Sequence, residues 1–201
     1  MTNERASWYR RLALLSVFMI PAVASAHPGL PGHTHGFLYG VAHPLSGLDH
    51  LLAMLAVGVW AAQRGGRSLW TMPLAFVAAM TAGGMLGMAG TGITVPWLDQ
   101  IVAATVLVLG ICIAGALRVP VPGATALVGL FALFHGYAHG ADLPMTATAL
   151  DYGLGFMLAT VLLLAGGIGI GRAAQRAAAP ALVRYTGAAI AVAGLYCLIN
   201  A

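Results

Sequence analysis

Residues 37–62 read FLYGVAHPLSGLDHLLAMLAVGVWAA. Neither Lys nor Arg interrupts this stretch, and its single carboxylate is Asp49. A helix needs ~20 largely apolar residues to cross ~30 Å of hydrocarbon, so the stretch reads as a membrane span. Five further apolar runs follow, at about 69–89, 100–117, 122–140, 145–170 and 182–200. The linkers are short and marked by Arg64-Gly65-Gly66-Arg67, Gly90-Thr91-Gly92 with Pro96, Pro120 with Pro122, Pro144 and Pro180. The expected fold is an all-α integral membrane bundle of six transmembrane helices over residues 37–201.

Composition leads to the same class. Hydrophobic residues make up 60% of the chain and charged residues 7%, against roughly 25% charged in a soluble domain. That is too little charge to coat a water-facing surface, so lipid is the expected solvent. The basic pI does not point to nucleic acid: the nine basic residues are all arginines, scattered singly or in pairs, with no basic face. Cys112 and Cys197 both sit in apolar runs and read as small buried hydrophobes, not as a disulfide framework.

The first 26 residues read as a cleavable signal peptide. Arg5, Arg10 and Arg11 form a positive n-region, residues 12–23 a short apolar stretch, and Ala24-Ser25-Ala26 an A-x-A cleavage site. The mature chain would then begin outside the cytoplasm at His27, with 27–36 as a His-containing leader. Arg64, Arg67, Arg118, Arg172, Arg176 and Arg184 all fall in, or at the edges of, the expected inner segments 63–68, 118–121 and 171–181. This is the distribution that the positive-inside rule requires. The location implied is a bacterial inner membrane, with both mature termini periplasmic.

The remaining polar residues gather on the outer side. His43, Asp49 and His50 lie in HPLSGLDHLLAM, residues 43–54, and His135, His139 and Asp142 in FHGYAHGADLP, residues 134–144. On one continuous helix, His43 and His50 would share a stripe with Gly47 and Met54. An aspartate near mid-bilayer costs on the order of 2.5–3.5 kcal/mol on insertion scales, so Asp49 needs a partner, water or a metal. His135 and His139, four apart, present two nitrogens from one helix face, as HExxH does; the glutamate is missing, so metalloprotease chemistry is not indicated and no enzyme activity is expected.

Two bland readings stand beside the chemical one. An isolated intramembrane histidine can simply bond two helices together, and the leader residues His27, His33 and His35 serve equally as a polar tail or a metal collector. Met54 reads as packing first and as a soft ligand second, Asp99 as a carboxylate at a helix N-terminus, and Asp151 as a second path carboxylate or a partner of Thr146 or Thr148. Four histidines and two aspartates on two helices point to a cation path. Imidazole with carboxylate suits nickel, cobalt, zinc or copper better than magnesium or calcium. A P-loop is absent from the sequence, so the chain is expected to hydrolyse no ATP itself.

At these two motifs the sequence resembles the HupE/UreJ family of membrane proteins, accessory to nickel-containing hydrogenases and ureases. The resemblance runs from the signal peptide to the sixth span. The family's HPxxGxDH and FHGxAHG patterns match His43, Asp49 and His50, and His135 and His139; Asp142 stands where a glutamate is usual. The resemblance implies a permease for nickel, or cobalt in some relatives, that supplies metalloenzyme maturation and holds no permanent cofactor. The partners so implied are a divalent metal ion and the bilayer, with a homo-oligomer admissible. Two other classes remain open: a membrane haem protein with histidine axial ligands, and an accessory subunit that binds metal without moving it.

Overall fold

The computed structural model describes residues 36–90, 94–141 and 149–201. Among these residues every regular element is a helix: α1 (Phe37–Ser46), α2 (Leu48–Arg64), α3 (Ser68–Met88), α4 (Leu98–Ala114), α5 (Val121–Ala141), α6 (Ala149–Arg176) and α7 (Pro180–Asn200). The signal-peptide stretch 1–26, the leader 27–35 and Asp142 lie outside the described residues.

Four helices, α3, α5, α6 and α7, are long and apolar enough to cross a membrane, and α1 with α2 makes a fifth span if the bent pair counts as one. The remaining apolar helix, α4, has 17 residues, about 25 Å of rise, short of ~30 Å of hydrocarbon. It ends early because Gly115 and the positive-φ residue Ala116 close its C-terminus on Ile111 O and Ile113 O.

The single helix expected over 37–62 is instead broken. Pro44 sits buried inside α1, and Gly47 takes an extended conformation (φ −96°, ψ 122°). α1 and α2 consequently meet at 86°. Proline contributes no backbone N–H to a helix, and the extended residue at Gly47 interrupts the helical hydrogen-bond ladder; sequence length and apolarity, which suggested one span, are blind to both. The break gives α2 its own N-terminus, with Asp49 in the first turn, where the positive end of the helix dipole favours a carboxylate.

The apolar run expected over 145–170 belongs to a longer helix. α6 runs on to Arg176, so Arg172 and Arg176 are helical and only residues 177–179 link to α7. Hydrogen bonds collect the arginine-bearing ends of the helices at one end of the bundle. Arg64 donates to Leu117 O, Val119 O and Ser68 Oγ, Arg184 to Ala114 O, and Gln175 to Ala62 O. The four described histidines, His43, His50, His135 and His139, lie toward the opposite ends of their helices.

Glycines set how closely the helices lie. A Cβ on Gly83 or Gly87 of α3 would meet the α5 backbone, and one on Gly136 or Gly140 of α5 would meet the α3 carbonyls of Met80 and Gly84. This backbone-to-backbone contact is the membrane mode of packing through small residues, and it fixes the rotation of α5 about its axis. Trp60, Phe76, Met54, Met72, Leu109 and Ile113 fill the interior, while Trp70, Leu74, Leu162, Val192 and Ile199 point outward. The apolar outer face is what a lipid environment demands.

Candidate metal path

The last turn of α1 carries His43, the first turn of α2 carries Asp49 and His50, and the C-terminal turns of α5 carry His135 and His139. The break at Gly47 turns the first group toward the second. The His50 ring lies 4.0 Å from that of His139 and 5.0 Å from that of His135, centroid to centroid, and His43 lies 4.8 Å from His139. All three contacts are edge-to-face. The structure therefore brings all five described site residues into one cluster, although no continuous stripe joins His43, Gly47, His50 and Met54. Met54 is fully buried in the apolar core, in keeping with a packing role.

The cluster is graded in burial. His135 is fully buried and His139 is 4% exposed, whereas His43, Asp49 and His50 are half-buried. Polar groups back two of the rings. His50 Nδ1 lies 2.6 Å from Asp49 Oδ1, and the same oxygen accepts the His50 backbone N–H at 2.8 Å. His135 Nε2 lies 2.7 Å from Thr105 Oγ1 on α4. His135 Nδ1 and His139 Nε2 are buried and have no hydrogen-bond partner among the described residues.

Aromatic rings from α6 wall the other side. Phe156 lies 4.4 Å from His139, and Tyr152 lies 5.8 Å from His43. A cavity of about 270 Å³ between α3, α5 and α6 reaches His139 and is lined by Met80, Met85, Met88 and Met157. The approach from that side is largely apolar. Among the described residues no three His, Cys, Asp or Glu side chains are disposed as a ready coordination shell. An ion entering the cluster must part rings that now rest on each other.

Sequence reasoning missed Thr105, Tyr152 and Phe156. Thr105 is a hydroxyl in the middle of an apolar run, which is its only signal; Tyr152 and Phe156, four apart, read as ordinary packing. Asp151 is exposed at the start of α6 beside Gly36. Asp99 lies in the first turn of α4, as expected of a helix N-terminal charge, and Cys112 and Cys197 are both free.

A family model described as "HupE / UreJ protein" matches residues 14–197. The chain is 43% identical over 186 residues to "Protein HupE" of Rhizobium leguminosarum bv. viciae, covering 92% of this chain and 95% of that protein. No solved structure matches.

Proposed function

The chain belongs to the HupE/UreJ family, and on that premise we propose that it is a permease carrying a divalent transition metal, nickel or cobalt, into the cell to supply a hydrogenase or urease. In this reading six spans follow a cleaved signal peptide in the bacterial inner membrane. The bent α1–α2 pair is the first span, α4 a short third one, and both mature termini are periplasmic. The ion is cargo, and no cofactor is held permanently.

One observation carries the reading: His43 of α1, His50 of α2, and His135 and His139 of α5 converge from three helices, with Asp49 on His50. Residues that merely bond two helices have no reason to gather at one point. Imidazole suits nickel and cobalt, and the Asp49 charge offsets part of the cost of bringing a dication into a low-dielectric interior. Transport also requires weak, successive contacts instead of one closed cage, and a chain of touching imidazoles is suited to that. A membrane potential supplies ~2.3 kcal/mol per charge per 100 mV, so a dication gains roughly twice that on moving inward, without ATP.

The haem alternative requires His50 and one of the α5 histidines on opposite faces of a porphyrin, and purified protein without a Soret band would dispose of it. The accessory-subunit alternative is separated by transport itself. Cells expressing the chain should accumulate nickel or cobalt above the level of cells without it. Metal binding to purified protein with no accumulation in cells would replace the permease by a non-transporting accessory role.

A further inference from the structure

Thr105 lies on α4, outside both histidine motifs, and is 3% exposed. Its Oγ1 is 2.7 Å from Val102 O and 2.7 Å from His135 Nε2. Each of these short contacts needs a hydrogen between its heavy atoms, and a hydroxyl has one to give. The carbonyl of Val102 carries no hydrogen, so the Thr105 O–H must point at it. The hydrogen between Thr105 Oγ1 and His135 Nε2 then comes from the imidazole: His135 is the Nε2–H tautomer.

Its other nitrogen, Nδ1, is buried and unpartnered among the described residues. A second proton there would be a buried donor with no acceptor, which is costly. Nδ1 is left as a bare lone pair within the histidine cluster. The arrangement across the cluster is the counterpart. Asp49 accepts from His50 Nδ1 at 2.6 Å, which leaves the Nε2 lone pair of His50 as its donor atom.

We propose that Thr105 is a positioning residue of the path, holding His135 in the Nε2–H tautomer so that the Nδ1 lone pair serves the passing divalent transition metal. The proposal rests on the permease reading and adds a residue to it. Metal-bound histidines usually have their second nitrogen fixed in this way, and loss of such a partner typically costs about 10–100-fold in affinity or activity. A hydroxyl that itself donates to a helix carbonyl is a weaker polariser than the Asp49 carboxylate. The two histidines are therefore unequal donors, the Asp49-backed one half-buried and the Thr105-backed one fully buried.

The test has two arms. In metal-free wild-type protein in lipid bilayers, nitrogen NMR of labelled histidine, with His135→Asn to assign the signals, should show His135 protonated at Nε2 and bare at Nδ1. In cells, Thr105→Val, which keeps the shape and removes the hydroxyl, should lower nickel uptake about 10–100-fold at wild-type accumulation, while Thr105→Ser restores it to within a few-fold. A His135 protonated at Nδ1 overturns the proposal whether or not the valine variant accumulates. So does a Thr105→Val variant that transports like wild type while His135→Ala does not, a result that leaves the permease reading standing. If His135→Ala also transports normally, it is the permease reading that loses its residue.

Discussion

The His50 ring lies against the His139 ring with centroids 4.0 Å apart, and it does so because the chain turns through 86° just before His50. In many transporters a break of this kind places half-helix ends beside the transported ion, the role that the permease reading gives it here. Broken backbone of this kind is tolerated in a membrane protein only where it is buried or lines a cavity. Here it produces a helix N-terminus beside the histidines, and Asp49 occupies it.

Gly47 is the hinge of this arrangement. A Cβ at Gly47 would fall 3.0 Å from Asp49 Oδ1 and 3.0 Å from His50 Nδ1, so it would press on both members of the hydrogen-bonded pair. Gly47→Ala should lower nickel uptake several-fold while the protein still accumulates, a milder effect than removing either partner, since displacements of ~1 Å are what cost about 100-fold. Uptake in cells matched for membrane content checks this. Unchanged uptake would show that the pair's spacing is not used.

Gly136 tests the packing that aims the histidines. A Cβ there would collide with the Met80 carbonyl, whereas one on Gly129, on the same helix, has Ala79 Cβ as its nearest neighbour at 3.9 Å. Gly136→Ala should destabilise the bundle by about 1–3 kcal/mol, as overpacking does, and Gly129→Ala should be near neutral. Thermal unfolding in detergent distinguishes the two. Equal stability of both variants would mean that α3 and α5 part easily, and that the rotation of α5 is not held by its glycines.

The termini report the topology. Mass spectrometry of protein purified from membranes should find His27 first, after cleavage behind Ala24-Ser25-Ala26, and a C-terminal alkaline phosphatase fusion should be active. An intact Met1 would add a span before α1, and a C-terminus that supports only a cytoplasmic reporter would make the number of crossings odd.

Much of this was legible in the sequence because membrane helices are written in length and polarity. The runs at 69–89, 122–140 and 182–200 coincide closely with α3, α5 and α7, and the histidine and arginine ends could be separated by listing charges. The candidate site residues stood out for the same reason: His43, Asp49, His50, His135 and His139 are polar residues in or beside apolar runs. The break at Gly47 was not, since Pro44 and Gly47 occur in many unbroken membrane helices, and only tertiary packing decides whether they bend. Thr105 was hidden because threonine can satisfy its own hydroxyl on a helix carbonyl, as it does on Val102 O, so its presence mid-span raised no demand for a partner.

Reconstitution measures the central claim most directly. Purified protein in sealed vesicles with an inside-negative potential should accumulate radioactive nickel. Vesicles carrying Asp49→Asn, His50→Ala or His139→Ala at the same protein content should accumulate about 10–100-fold less. Asp49→Asn is the sharpest of the three, because it keeps volume and hydrogen bonding and removes only the charge. If wild-type vesicles accumulate no metal, or if Asp49→Asn and His50→Ala fill as fast as wild type, the histidine cluster is structural and the permease account is wrong.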